Sequence, residues 1–304
     1  MNTMWDVSIA GITVYHILCF MLIFSFMGWL WESFYVSVME HRIVNRGYVT
    51  GPLCTIYGVG GVFMTLTLQP YKNNIIVMFL LAMVFTTTLE YVTATVMEAL
   101  FHTSWWDYTE ERFNYKGRIC LKGSLAWGAV SLLLFNIILP FCERLIGLVS
   151  EKTGHIIITV IAGLYLIDFV MATIAAVDVS KQLEKMDALL DDIEEFIRST
   201  RLYTEGEELK NRMGSLTLRL REANYLQRYS KRLEVVQAVW KEKIASVGSK
   251  YTAEAQSRLK ELMSRVTLAK SWNSLLQGRI LRAYPKIMSS NHFRKKQEEN
   301  IKKL

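Results

Sequence analysis

Five apolar runs follow one another within the first 180 residues, and no other feature of this 304-residue sequence restricts its fold so tightly. They extend approximately from Ile12 to Met39, Gly51 to Leu68, Asn74 to Phe101, Ser124 to Phe141 and His155 to Val177. A bilayer core about 30 Å thick is crossed by roughly 20 apolar residues rising about 1.5 Å each. A water-soluble protein buries one such helix, but five in succession leave too little polar surface to cover them. The expected fold is therefore all-α: a polytopic membrane bundle of about five transmembrane helices, the second and fourth runs being the shortest.

Charge divides the chain at the end of the fifth run. Of the 35 Lys and Arg and 28 Asp and Glu, only 9 bases and 12 acids precede Lys181, while 26 bases and 16 acids follow from it onward. The sequence thus splits into a transmembrane helical domain, residues 1–180, and a cytoplasmic charged helical tail, residues 181–304. Basic residues near span ends set orientation. Arg42 and Arg46 follow the first run, and Arg112, Lys116, Arg118 and Lys122 follow the third, whereas the intervening loops carry only Lys72, then Arg144 and Lys152. This alternation, with the basic tail, places the N-terminus outside and the C-terminus in the cytoplasm. No Lys or Arg precedes the first run, so it lacks the basic region of a secretory signal peptide and reads as a retained span.

The tail is rich in Leu, Glu, Lys, Arg and Gln and has no proline from Lys181 to Pro285, a helical composition. Leu183, Met186, Leu190, Ile193 and Ile197 recur at three-four spacing, which predicts a coiled-coil-like stripe and a partner helix. Thr204 and Glu207 form a capping box opening a second helix, and a break near Gly248 opens a third. Glu184 to Glu208 holds 9 acids against 3 bases, and Lys210 to Leu304 holds 22 bases against 7 acids. These blocks read as a loosely paired helical hairpin before they read as a lipid-binding surface. No recognition motif accompanies the charge, so nucleic acid is not an expected partner.

Acids inside apolar runs carry most of the functional information, because each costs about 2.5 to 3.5 kcal/mol at a span centre. They are Glu32, Glu90, Glu98 and Asp168. Glu90 and Glu98 stand about two turns apart and about 80° around the helix, a spacing that lets both border one crevice at the cytoplasmic face. The same face gathers Arg46, Trp105, Trp106, Asp107, Tyr108, Asn114 and Arg118, which supply aromatic faces, hydrogen-bonding groups and both charges for a small polar or cationic ligand. Each also has a plainer role. Trp and Tyr belong at interfaces, Arg46 or Arg118 neutralises Glu32 or Glu98, glycines permit close helix packing, and Asp168 pairs within the bundle. Cys19, Cys54, Cys120 and Cys142 lack metal or disulfide spacing and read as packed thiols. No metal, cofactor or catalytic residue is implied.

The segments FSFMGWLWES, NRGYVTGPLCTIYGVGG, LEYVTATVMEALFHTSWWDYTEERFN and GRICLKGSLAWG, spanning most of Phe24 to Pro140, resemble the bacterial ABC-transporter type IV, or CmpB-like, membrane family. Glu32, Arg46, Gly47, Gly51, Pro52, Tyr57, Gly58, Glu90, Glu98, Trp106, Asp107, Asn114, Gly117, Arg118 and Trp127 fit its motifs, while Cys54 stands where proline is more usual. The resemblance implies a multi-pass permease-type subunit of the bacterial cytoplasmic membrane. The sequence has no Walker A motif, so ABC-type energy would come from a separate ATPase subunit. The alternative is a membrane-anchored scaffold or sensor whose tail recruits a partner, itself or another chain. A membrane enzyme ranks last, since neither HExxH nor GxSxG is present.

Overall fold

The structure is a computed structural model that describes residues 4–199, 275–284, 287–290, 293–294 and 297–298 and the single residues 257, 261 and 264, apart from the side chains of 4, 190, 193–199 and 275–276. Helices begin where short polar side chains precede the apolar runs. Thr13 caps α1 (Val14–Met39), its hydroxyl accepting from the His16 amide; Asn74 caps α3 (Ile75–Phe101) by accepting from Val77 N–H at 3.1 Å. Both caps satisfy N–H groups that a helix start leaves unpaired. His102 ends α3 in the left-handed conformation, φ 47°.

The fourth run is longer than the sequence indicates. Helix α4 (Leu121–Leu133) passes through a π-helical turn, Leu134–Ile138, into α5 (Leu139–Gly147). Pro140 has no N–H to give to the preceding turn, and the widened turn absorbs that missing bond. The last apolar run belongs to α6 (Glu151–Ser199), 49 residues without a break, which carries the helix past Lys181. Along it Leu183 and Met186 are fully buried. The rest of the expected stripe, Leu190, Ile193 and Ile197, and the breaks at Thr204 to Glu207 and at Gly248, lie outside the described side chains or residues.

Among the described residues, four helices are long and apolar enough to cross a membrane: Val14–Met39, Ile75–Phe101, Leu121–Gly147 and the first 39 residues of α6. Trp31, Phe34, Leu100, Ile137, Leu164 and Ile167 point away from the bundle, each exposed. In water such a girdle would be a liability; against acyl chains it is the expected surface.

The second run behaves differently. Its helix, α2 (Thr55–Leu68), has 14 residues and rises about 21 Å. Residues 44–54 are instead non-helical, bending at 48–52, and thread between two helices. Along α1, the amides of Val44, Arg46 and Cys54 donate in turn to Ser37 Oγ (2.9 Å), Ser33 Oγ (3.0 Å) and the Ser25 carbonyl (2.9 Å). Along α6, Tyr48 donates to Thr173 Oγ1 (2.9 Å), Asp168 accepts from the amides of Thr50 (3.0 Å) and Gly51 (2.7 Å), and Thr55 bonds Tyr165 (2.8 Å). From Ser37 down to Ser25 is about 18 Å of helix. Non-helical backbone is tolerated at such depth only where protein groups satisfy it. Asp168 does so by pairing with the amides of this segment.

Gly58 makes the α1–α2 approach possible, because a Cβ there would collide with Ser25 Oγ and lie 2.6 Å from the Met21 carbonyl oxygen. Tyr15, Phe20 and Phe24 of α1, Met64 of α2, Met78 of α3 and Phe135 of the π turn pack with their neighbours into one core. Near the chain start, Trp5 stacks on His155, which meets Tyr15 edge-on. At the opposite end, the Ser180 hydroxyl of α6 donates to the Phe101 carbonyl that closes α3. The chain therefore alternates between the two ends of the bundle.

At that second end the C-terminal segment packs back onto the membrane half. Helix α7 (Leu275–Ala283) lies against α6. The two-residue strand Met288–Ser289 pairs antiparallel with Thr103–Ser104, Thr103 opposite Ser289. Phe293 is buried against Gly117, whose φ of +61° is open to glycine, and Gln297 donates to the Lys116 carbonyl at 2.6 Å.

Candidate functional site

Four elements and a loop converge on Glu32 and Glu90. Tyr57 of α2, one turn past the non-helical segment, donates its hydroxyl to Glu32 Oε1 at 2.6 Å. Arg46, held in place through its own amide by Ser33, meets Glu32 Oε2 at 3.4 Å. The Tyr57 ring packs against Trp127 of α4, centroids 5.1 Å apart, and Trp127 also engages the Glu90 side chain. Glu90 Oε1 accepts from Tyr108 at 3.0 Å. Burial, and next the Glu90 carboxylate, push the Tyr108 phenol above its ordinary pKa, so it stays a proton donor across the physiological range.

Glu98 stands apart from this group. Arg118 grips one of its oxygens twice, through Nε at 3.1 Å and a terminal nitrogen at 2.6 Å, and lies over the Tyr91 ring at 5.6 Å. The 80° offset along α3 turns the two acids toward different partners, and Glu98 joins an ion pair while Glu90 takes neutral donors. Among the described residues, no cation pairs with Glu90. A carboxylate at such a site has hydrogen-bond donors but no compensating charge.

The loop between α3 and α4 divides its residues between shaping itself and reaching outward. Asp107 accepts from the Thr109 amide (2.8 Å) and hydroxyl (2.6 Å), and Asn114 bonds the Glu111 carbonyl (2.8 Å) and the Gly117 amide (3.0 Å). Trp106 donates its indole N–H to the Arg118 carbonyl at 2.9 Å. These three hold the turn, while Tyr108 and Arg118 deliver their groups to the acids. Trp105 is buried among Tyr48, Phe101 and Tyr284. Among the described residues, no cluster of three or more His, Cys, Asp or Glu is arranged to hold a metal.

Sequence reasoning placed Tyr57 and Trp127 only among motif positions, and gave Arg279 and Tyr284 no role. Tyr57 and Trp127 carry a legible signal: each is an aromatic polar side chain within an apolar helix, the same kind of exception that marked the acids. Arg279 donates to the carbonyls of Gly47 (2.8 Å), Tyr48 (2.5 Å) and Val49 (2.9 Å). Tyr284 lies under the Arg46 guanidinium at 4.3 Å and edge-on to Trp105 at 4.8 Å. Burial raises the Tyr284 phenol's pKa, and Cys54 and Glu32 beside it add to the rise against the opposing pull of Arg46.

Comparison with curated proteins and with solved structures finds no match. A family model described as Putative ABC-transporter type IV matches residues 18–173. That stretch is just over half of the chain and contains Glu32, Arg46, Tyr57, Glu90, Glu98, Tyr108, Arg118 and Trp127, while Arg279 and Tyr284 lie beyond it. The apolar helices, the paired acids and the loop that serves them therefore belong to a membrane protein of the Putative ABC-transporter type IV family.

Proposed function

We propose that this chain is a permease-type subunit of a transport system in the bacterial cytoplasmic membrane. In this reading Glu32 and Glu90 form a cation-handling site opening toward the cytoplasm. The observation that carries it is Glu90: a half-buried acid in an apolar helix, hydrogen-bonded to neutral Tyr108 and adjoining Glu32 through Trp127 and Tyr57. A proton or a substituted ammonium ion supplies the charge that this environment lacks, and the three aromatic rings offer such a cation their faces. Glu98 and Arg118 are structural in this scheme. The N-terminus lies outside and the tail inside, α2 with its non-helical lead-in makes the fifth crossing, and energy comes from a separate ATPase.

The test is flux in liposomes after co-purification from native membranes. Glu90→Gln keeps the shape and the Tyr108 bond but removes the charge, so flux falls at least tenfold while the melting temperature holds. Unchanged flux with intact expression would sink the proposal. Recovery of the chain alone, with no flux alongside candidate ATPases, would count equally against it.

A further inference from the structure

Resting on that reading of Glu32 and Glu90, we infer that the described residues between 275 and 298 act as an intramolecular strap that closes the cytoplasmic mouth of the acid site, with Arg46 joining strap to site. The sequence reads the tail as a loosely paired helical hairpin or, second, as a surface for lipid or a partner; most of it lies outside the described residues. Its last described residues bind the two loops that border the acids.

The contacts are of four kinds and fall on both loops. Arg279 places a fork of donors on three successive carbonyls, Gly47 to Val49, within the non-helical segment. On the far side of that segment Asp168 takes the next two amides, Thr50 and Gly51. The peptide dipoles are thus clamped between a cation and an anion in their favourable sense. Across the mouth, Met288–Ser289 adds a strand to Thr103–Ser104, and the Ser290 amide donates to the His102 carbonyl at 2.9 Å. Phe293 fills the space that Gly117 leaves open. Between these anchors Tyr284 sits beneath Arg46, against Trp105 and beside Cys54.

Arg46 makes the closure responsive to the site. Its guanidinium serves Glu32, the Ala283 carbonyl and the Tyr284 ring together. A cation bound at Glu32 competes for the carboxylate that positions Arg46, and so weakens its hold on the strap. The seam is also incompletely satisfied: among the described residues, Trp105 Nε1, Arg279 Nε and Ser290 Oγ are buried without a hydrogen-bond partner. A fully satisfied interface would hold more tightly, and these atoms favour a strap that releases.

Native Cys54 reports the state of the mouth, because it is buried with its thiol donating to the Arg46 carbonyl at 2.9 Å. The full chain in lipid nanodiscs is treated with a polar maleimide, and adducts are located by peptide mass spectrometry. Wild type labels slowly at Cys54; Arg279→Ala labels about tenfold faster or more, as expected for loss of charged hydrogen bonds. Cys19 and Cys142, buried in the core, stay unlabelled in both and show that the bundle is intact. If Arg279→Ala also exposes those two, Phe293→Ala decides, since it loosens the strap at its far anchor without touching the non-helical segment. Rapid Cys54 labelling in wild type overturns the proposal. So does an unchanged rate in a folded variant whose Thr103 and Ser104 amides have become free to exchange with deuterium. No step depends on transport: a Glu90→Gln variant with normal flux removes the cation-handling reading and leaves the strap to stand or fall on labelling.

Discussion

Two glutamate–arginine pairs sit at the same end of the bundle, yet they are built to different specifications. Arg118 closes on Glu98 at 2.6 Å, with the two side chains only 17% and 10% exposed, and the loop around Arg118 is braced by Trp106 and Asn114. Arg46 meets Glu32 at 3.4 Å, with side chains 18% and 29% exposed, and divides itself among Glu32, Ala283 and Tyr284. Glu32 in turn leans on Tyr57. The first pair is a closed unit that neutralises a buried acid. The second is a junction whose strength is spread over several contacts, as the proposed exchange of partners at Glu32 requires. Identical residue types therefore do structural work in one place and leave room for function in the other.

Breaking the closed pair gives the largest effect. Arg118→Met removes the charge while preserving the stem, and leaves Glu98 buried without its cation. Such half-pairs cost about 3 to 5 kcal/mol, so the melting temperature in detergent should fall sharply. Adding Glu98→Gln to the same chain should recover most of the loss, because the uncompensated charge is gone. If the single variant melts like wild type, Glu98 and Arg118 are not the structural members of the comparison.

The open junction predicts a milder response. Arg46→Met forfeits a long, partly exposed ion pair and a cation–ring contact, each on the order of 1 kcal/mol or less, and Tyr57 still satisfies Glu32. Stability should drop by about 1 to 2 kcal/mol, well short of Arg118→Met. Deuterium exchange should rise at residues 288–290, where the strap strand is held, and the Glu98 surroundings should stay unchanged. A loss as large as that of Arg118→Met would mean that the two pairs are equivalent after all.

How far the sequence exposes this contrast depends on the range of the interaction. The long apolar helices are legible because lipid demands an unbroken run, and Glu32, Glu90 and Glu98 stand out because acids are costly there. Both arginines were recognised as neutralising candidates, but composition alone does not say which acid each one takes. The Gly51 to Leu68 run misleads at its start, since apolar content does not separate helix from irregular chain; Gly51 and Pro52 are the residues that signal a non-helical stretch before Thr55. Nothing in the local pattern around Arg279 or Tyr284 marks a strap. Arg279 binds backbone carbonyls more than 200 positions away, and carbonyls are present at every residue, so the sequence carries no complementary signal.

The smallest prediction concerns what braces the closed pair. Trp106→Phe keeps an aromatic ring at the loop's edge and deletes one N–H, the donor to the Arg118 carbonyl at 2.9 Å. A neutral hydrogen bond of this kind contributes about 0.5 to 1.5 kcal/mol, so stability should fall by about 1 kcal/mol while Arg118 stays paired with Glu98. Because the brace acts on backbone, its loss should be felt at both groups the loop delivers: Arg118 and, two residues after Trp106, Tyr108 at Glu90. A flux change in Trp106→Phe accompanied by intact Glu98–Arg118 pairing would show that the structural pair and the acid site are coupled through this loop. Independent behaviour of the two would sharpen the division between them.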